Sequence, residues 1–432
     1  GYNEWWGISE ITNGVSMYEG PVVGYGEWGI IDVWRRKKPE FWNTKKALSP
    51  VKVLAEEIIE FRPGHPLKIP VHNRFSHTNL KDIKTICRYR KKNVLAIMQN
   101  IGPGEKGDLQ LPPNDWKEGE IINIRFFDRN SRLIDEYNLG FGKRYATDYP
   151  AKPAEATILE TEYNKYEISS REIKTGFNRK TGMLENLVIK GDTIIRSGPW
   201  LHFRYPEKDH GSVLRFREKN ERFIPGSFSY SDENGILKLD VSGKCGRSDL
   251  SYSITISGDG IFRTEWNAGV SGESEKVAEL GLKFILGNNF DSLKWESRSY
   301  WNSYPAGHPG SGKGSARLSD HNRNSYRQRP PGQWELDNQS FYYNGMNPSQ
   351  DLSYTAGSMK EKIYTYTLQS PLNNRLSILS DGSHSCRIRK NENGFILFIN
   401  SHWDYPGLKW GNYSKNIPLP ERVSDTITMR IY

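Results

Sequence analysis

The period of its apolar residues constrains this chain more than any other feature. Leu237-Lys-Leu-Asp-Val241 and Leu250-Ser-Tyr-Ser-Ile-Thr-Ile256 place an apolar side chain at every second position. That is the period of a strand with one buried and one solvated face. Ile363-Tyr-Thr-Tyr-Thr-Leu368 continues the same β-rich character, and turn residues separate the segments. From residue 148 to Tyr432 the chain reads as strand and turn almost throughout, enough for one large antiparallel sandwich. No apolar run approaches 18 residues, so no membrane-spanning helix is expected.

Residues 51–147 carry shorter strand candidates: Val51–Leu54, Leu67–Val71, Val94–Ile97 and Ile121–Phe127. Arg62-Pro63-Gly64 and Asp128-Arg129-Asn130 supply turns between them. Short strands at this spacing predict a small immunoglobulin-like β-sandwich. Residues 146–153, with two prolines, read as a linker. Residues 1–50 differ again. A short strand over Trp5–Ile11 precedes a Gly-rich loop from Gly14 to Gly29. Ile30–Trp34 reads as a second short strand, and Pro39–Leu48 as a helix with Pro in its first turn. Fifty residues with so few elements cannot bury a core alone. The opening Gly1-Tyr-Asn-Glu-Trp-Trp enters a strand-like run at once, without a leader segment. The chain is therefore read as a fragment, or as one chain of a split protein. A long stretch from Trp301 to Gly332 has no apolar periodicity and reads as a loop.

The aromatic content (13 Trp, 23 Tyr and 17 Phe) excludes wholesale disorder. The net charge of +9 permits anionic partners such as a sulfated or uronic polysaccharide. Basic runs at Arg35–Lys38 and Arg88–Lys92 come without any helix-turn-helix, zinc-finger or RNA-recognition pattern, so no nucleic-acid partner is expected. Cys87, Cys245 and Cys386 are scattered and odd in number, which argues against a disulfide framework or a zinc ribbon and leaves the compartment open. No His pair has metal-ligand spacing, and there is no phosphate loop and no Gly-x-Ser-x-Gly elbow.

Three stretches carry a resemblance. Gly26–Pro50 holds a Gly-apolar strand, an Arg, a Lys-Pro-Glu and a helix ending in Ser-Pro. Val71-His-Asn-Arg-Phe-Ser-His-Thr-Asn-Leu80 holds an Asn-Arg-aromatic and a Thr-Asn-Leu. The third stretch is Gly176-Phe-Asn-Arg-Lys-Thr-Gly-Met-Leu184 together with Gly198-Pro-Trp-Leu-His-Phe-Arg204. In this order and spacing they resemble the C-terminal half of the large β-galactosidases, glycoside hydrolase family 2. The resemblance implies a mainly β chain in three parts. Residues 1–50 would close a (β/α)8 catalytic barrel, 51–147 would be the immunoglobulin-like sandwich, and 148–432 a galactose-mutarotase-like β-supersandwich.

It also implies a retaining exo-acting hydrolase that uses two glutamates, one as acid/base and one as nucleophile. Both should precede the last barrel strand, so no catalytic residue is expected in this chain. By the resemblance, Trp6, Glu10, Tyr25 and Trp410 bind substrate. Glu10 is preferred as a residue lining the sugar pocket, with a structural role or the nucleophile itself as the alternatives. Trp28 stands where the family carries an Asn that helps hold sodium, and Trp offers no oxygen ligand. No cofactor is expected in this chain, while a monovalent or divalent cation is compatible with the complete enzyme. The implied partners are a carbohydrate substrate and the N-terminal catalytic half, and a homo-oligomer is compatible with the family. Two other readings remain: a non-catalytic carbohydrate-binding scaffold, and a supersandwich polysaccharide lyase with Tyr304 and His308 as its base pair.

Overall fold

The computed structural model describes residues 8–12, 15–18, 29–31, 35–142, 153, 157–170, 172–206, 216–219, 221–258, 260–270, 276–298, 304, 308–319, 333, 352–405, 407–408, 411–412 and 415–432. It is mainly β, and every strand pairing in it is antiparallel. The chain divides into two compact units. One comprises Gly1–Glu4, Gly26–Tyr145 and Ser299–Gly312. The other comprises Trp5–Tyr25, Ala146–Arg298 and Lys313–Tyr432.

In the first unit, strands Val51–Val53, Leu67–Asn73, Lys106–Leu111 and Ile97–Met98 form one four-stranded sheet. Leu133–Gly140, Ile121–Phe127, Lys84–Tyr89 and Lys92–Val94 form another. Their inward side chains make one core: Ile69, Val71 and Leu109 from the first sheet, and Ile122, Ile124 and Phe126 from the second. Each such side chain, fully buried, contributes roughly 1.5–3 kcal/mol. Trp116 stacks on Phe141 with ring centroids 5.3 Å apart, and its indole N–H donates to the His65 carbonyl at 2.8 Å.

The Asn73-Arg74 pair singled out by the sequence is a structural tie. Asn73 is wholly buried. Its amide donates to the carbonyls of Thr78 and Ile101, and its oxygen accepts the Phe75 N–H. Arg74 donates to the Ala47 carbonyl at the end of helix Pro39–Ala47, which spans nearly the residues the sequence predicts. Buried Lys46 anchors that helix to the sandwich, with its ammonium 2.7 Å from Asp135 Oδ1 and 3.5 Å from the Tyr137 ring centre. Within the run Arg88–Lys92, Arg90-Lys91 is an exposed turn joining strands Lys84–Tyr89 and Lys92–Val94, Tyr89 is buried in the core, and Arg90 pairs with Asp115 and Glu120.

The second unit is larger. Its first nine-stranded sheet has the path Thr157–Glu162, Lys165–Ser170, Ile173–Asn178, Met183–Ile189, Asp192–Pro206, Glu279–Leu286, Gly394–Trp403, Ser385–Asn391. Phe216–Lys219 pairs beside Asp192–Pro206. The second has the order Phe223–Glu233, Ile236–Cys245, Ser248–Ile256, Ile261–Gly269, Arg422–Ile431, Arg375–Leu379, Ile363–Gln369, Ser292–Ser297, Lys313–Arg317. Both sheets feed one apolar core, which includes Leu201, Leu282 and Leu397 from the first and Leu239, Ile254 and Ile427 from the second. In the motif Asn178–Gly182, Gly182 turns the chain at φ +71°. A Cβ there would lie 2.7 Å from Phe223 and 2.9 Å from the Tyr252 hydroxyl. Only glycine fits a left-handed turn so close to the core.

Three expectations change. Within the stretch read as a Gly-rich loop, Val15–Tyr18 is a strand paired with Ile8–Thr12; the intervening Asn13-Gly14 is itself a strong hairpin signal. Within the stretch read as the long loop 301–332, Lys313–Arg317 is an edge strand paired with Ser292–Ser297. A Cβ on Gly314 would lie 2.2 Å from the Trp295 ring, so packing rather than alternation specifies that strand. The segment read as one strand over Val94–Ile97 divides into Lys92–Val94 and Ile97–Met98, which belong to different sheets. In the stretch read as the strand Ile30–Trp34, Ile31 makes an isolated bridge to Lys37 and residues 32–34 lie outside the described residues. The linker 146–153, apart from Pro153, and residues 1–7 and 19–28 of the expected barrel stave also lie outside them.

All three cysteines are buried and free. Burial raises the Cys87 thiol to about 12 and the Cys245 thiol to about 11, and it raises Cys386 as well. A disulfide reagent such as dithionitrobenzoate should therefore find no fast-reacting thiol in the native chain and three after denaturation. A native thiol reacting at the rate of free cysteine would contradict this packing.

Candidate functional site

Of the four residues expected at the sugar site, Glu10 falls within the described residues. Trp6, Tyr25 and Trp410 lie outside the described residues, and Glu10 is placed only as a backbone position in the strand Ile8–Thr12. Chemistry concentrates instead on the outward faces of the two large sheets, away from their shared core.

On the first sheet, alternation sends Leu201, Phe203, Leu280 and Leu282 into the core. The same alternation sends His202, Arg204, Glu279, Arg387 and Asn400 to the opposite face. Strand register brings Arg204 opposite Glu279 and Gly281 opposite both His202 and Asn400. That face is nevertheless buried here: Glu279 and His202 have no exposed surface. The Glu279 carboxylate accepts from Arg204 Nη1 at 2.6 Å and from Arg387 Nε at 3.0 and 2.9 Å. It also accepts from His202 Nε2 at 3.3 Å and Asn400 Nδ2 at 3.2 Å. Arg387 also stacks on the Phe398 ring at 3.6 Å. Beside it, Glu218 pairs with Arg389 at 2.7 Å.

Burial alone would raise the Glu279 carboxyl, but Arg387, Arg204 and His202 hold it well below the usual carboxylate range. Burial lowers His202 to about 4 against the pull of Glu279, so the ring is neutral at neutral pH. Its Nε2 carries the proton toward Glu279. Among the described residues, its Nδ1 and the Asn400 carbonyl oxygen have no hydrogen-bond partner. An ionised carboxylate held by four residues does not cycle a proton. The cluster fixes the relative positions of four strands; it is not an acid–base pair. Sequence reading missed it, although a charged residue flanked by apolar ones, as in Ala278-Glu279-Leu280 and Cys386-Arg387-Ile388, is a signal that could have been weighed.

The outward face of the second sheet holds a groove of about 790 Å³. Its floor is written by register. One rung crosses five strands as Ser229, Asp240, Ser253, Glu265 and Thr426. The next rung is Ser227, Ser242, Ser251, Asn267 and Ser424. Five strands span roughly 19 Å at about 4.8 Å each. The side chains are short and carry both donors and acceptors. Ser253 donates to Asp240 at 2.6 Å, and Ser227 and Ser242 share a bond at 2.7 Å. Loop Ser380–His384 lines the groove beside them. Such a surface can hydrogen-bond a polyhydroxylated ligand.

Tyr304 and His308, weighed for lyase chemistry, stack with ring centres 3.9 Å apart in the first unit. Both His308 nitrogens are engaged: Nδ1 accepts the Gly310 N–H at 2.9 Å, and Nε2 faces the Pro39 carbonyl at 3.4 Å. Among the described residues, no group of three or more His, Cys, Asp or Glu is placed to hold a metal ion, and no helix is long and apolar enough to cross a membrane.

No family model and no curated protein matches the chain. Among solved structures, galactose 1-epimerase from Lactobacillus acidophilus NCFM aligns over 64% of this chain and 98% of its own length, with 10% identity and a TM-score of 0.30. A likeness at that score carries no argument about fold or function.

Glu279→Gln removes the nearest counter-charge of Arg387 and Arg204, leaving Arg387 only the more distant Glu218 at 3.8 Å, so it should cost about 3–5 kcal/mol in urea unfolding at neutral pH. His202 sets a pH window. The unfolded ring takes a proton near 6.5 and the folded ring only near 4, so stability should fall as pH drops from about 6.5 to about 4. Glu279 acts lower. Its folded value is depressed, so its contribution is present above about pH 4.3 and is lost as pH falls through the folded value. Chemical unfolding across this range should show the first loss reduced in His202→Asn. A loss of the same size in that variant would contradict the assignment.

Proposed function

We propose that this chain is the carbohydrate-facing C-terminal part of a retaining exo-acting glycoside hydrolase of the family 2 β-galactosidase type, cleaving terminal β-glycosidic bonds. Its catalytic glutamates belong to other polypeptide, and the implied partner is the catalytic half. In this reading, residues 51–147 are the immunoglobulin-like sandwich and 148–432 the supersandwich. Support comes from the order of parts: an eight-stranded two-sheet unit, then two nine-stranded sheets on one core, with the three motifs in sequence along them. The observation that carries the carbohydrate reading is the groove floor of alternating hydroxyls and carboxylates. Sugars are held by polar groups of this kind set in a concave site.

A second reading, a non-catalytic carbohydrate-binding scaffold, draws on the same groove floor of hydroxyls and carboxylates. Turnover separates the two. The chain alone should not hydrolyse nitrophenyl-galactoside, whereas its complex with the polypeptide that supplies the barrel should. Glycan retention without turnover by that complex would favour the scaffold. Hydrolysis by the chain alone that disappears in Glu10→Gln would make Glu10 the nucleophile and overturn the division of labour. Unsaturated, ultraviolet-absorbing products would point to a lyase.

A further inference from the structure

The groove on the second sheet contains a constellation that glycosidic chemistry does not use. Ser380 Oγ lies 2.8 Å from His384 Nδ1, and His384 Nε2 lies 2.8 Å from Asp425 Oδ2. All three residues line the groove. We propose that Ser380, His384 and Asp425 form an ester-cleaving site, with Ser380 as nucleophile, His384 as base and Asp425 as the positioning residue, acting on acyl esters of polyhydroxylated alcohols. The inference goes beyond the glycosidase reading and does not rest on it.

The proton positions follow from the partners. Burial would raise the Asp425 carboxyl, but the bond from His384 holds it below its usual value, so it is ionised. An ionised carboxylate accepts from Nε2–H, which leaves Nδ1 as a bare lone pair. Nδ1 then accepts the Ser380 hydroxyl proton. Ser383 Oγ also faces Nδ1, but at 3.2 Å against 2.8 Å for Ser380, so Ser380 is the nearer of the two hydroxyls. Relative to the usual serine–histidine–aspartate arrangement, the two ring nitrogens exchange roles, but the logic of base and orienter is the same. The alcohol portion is read from the floor beside the relay, where Glu265 and Thr426 are exposed and lie next to one another in register.

In the reaction, Ser380 Oγ bonds to the acyl carbon while its proton passes to His384 Nδ1. The ester C–O bond breaks and the alcohol leaves with that proton. Water then attacks the acyl-serine and gives its proton to His384. The Ser380–acyl bond breaks, the carboxylic acid departs, and Ser380 recovers its proton. The amides of the turn are largely committed. Gly382 N–H goes to the Ile363 carbonyl and Ser383 N–H to Asp381 Oδ1. Loss of one oxyanion donor slows acyl transfer by about 10²–10³-fold. Turnover should therefore be slow and confined to activated esters, which makes covalent capture the sharper readout.

The test uses the full chain and a fluorophosphonate probe, which loses fluoride when serine attacks phosphorus. Intact-mass and peptide analysis should show one adduct, on Ser380. It should be absent in Ser380→Ala, retained in Ser383→Ala, and formed at least tenfold more slowly in Asp425→Asn. Circular dichroism establishes that each variant folds; if Ser380→Ala does not, the mapped site and the Asp425→Asn rate decide. No adduct on the folded wild-type chain, an adduct on another residue, or an unslowed rate in Asp425→Asn would overturn the proposal.

Discussion

A carboxylate with no access to water sits on the outward face of a nine-stranded sheet, and the electrostatics of that face depend on it. Glu279 is surrounded by Arg204, Arg387, His202 and Asn400 from strands that lie far apart in the chain. Each of these groups would be costly to bury alone. Together they satisfy most of one another, and they require the strands Asp192–Pro206, Glu279–Leu286, Ser385–Asn391 and Gly394–Trp403 to keep their register. A one-residue slip would send the arginines into the apolar core. The sheet is thus specified twice, by apolar alternation on one face and by ion pairing on the other.

The two large sheets treat their outward faces differently. The first seals its charges away, and what remains is positional. The second leaves its outward face open, with short hydroxyl side chains and spaced carboxylates in rungs across five strands. The buried groups of the first face are mostly engaged with one another, and such a network rigidifies the structure. The second sheet's outward face therefore offers exposed hydrogen-bonding groups, and the buried Glu279 cluster of the first does not.

Where one face is buried and the other wet, the sequence could be read directly. Ile121–Phe127 is a strand over the residues expected, and Leu237–Val241 and Leu250–Ile256 fall inside observed strands, because alternation there reports burial. Lys313–Arg317 was illegible for the converse reason. Its inward positions are only half-buried and hold Gly314 and Ala316, which are too small to give an apolar alternation in the sequence. The Glu279 cluster and the Ser380–His384–Asp425 relay were equally hidden. Arg387 reaches a carboxylate 108 positions away, and Asp425 is 41 residues beyond His384. Such pairs come together through sheet topology, which local pattern does not encode. The Asn73-Arg74 motif was legible as a signature, but its role emerged only once its loop and helix-end contacts were placed.

The central claim is that Glu279 is ionised and locked in the folded chain. It is tested most directly by the infrared carboxylate stretch of this residue, isolated as the difference between isotopically glutamate-labelled wild-type and Glu279→Gln chains. An ionised carboxylate band that persists from about pH 8 down to about pH 5, with no protonated carbonyl band, is the expected result. A protonated carbonyl band at neutral pH would show a neutral acid in its place and contradict the account.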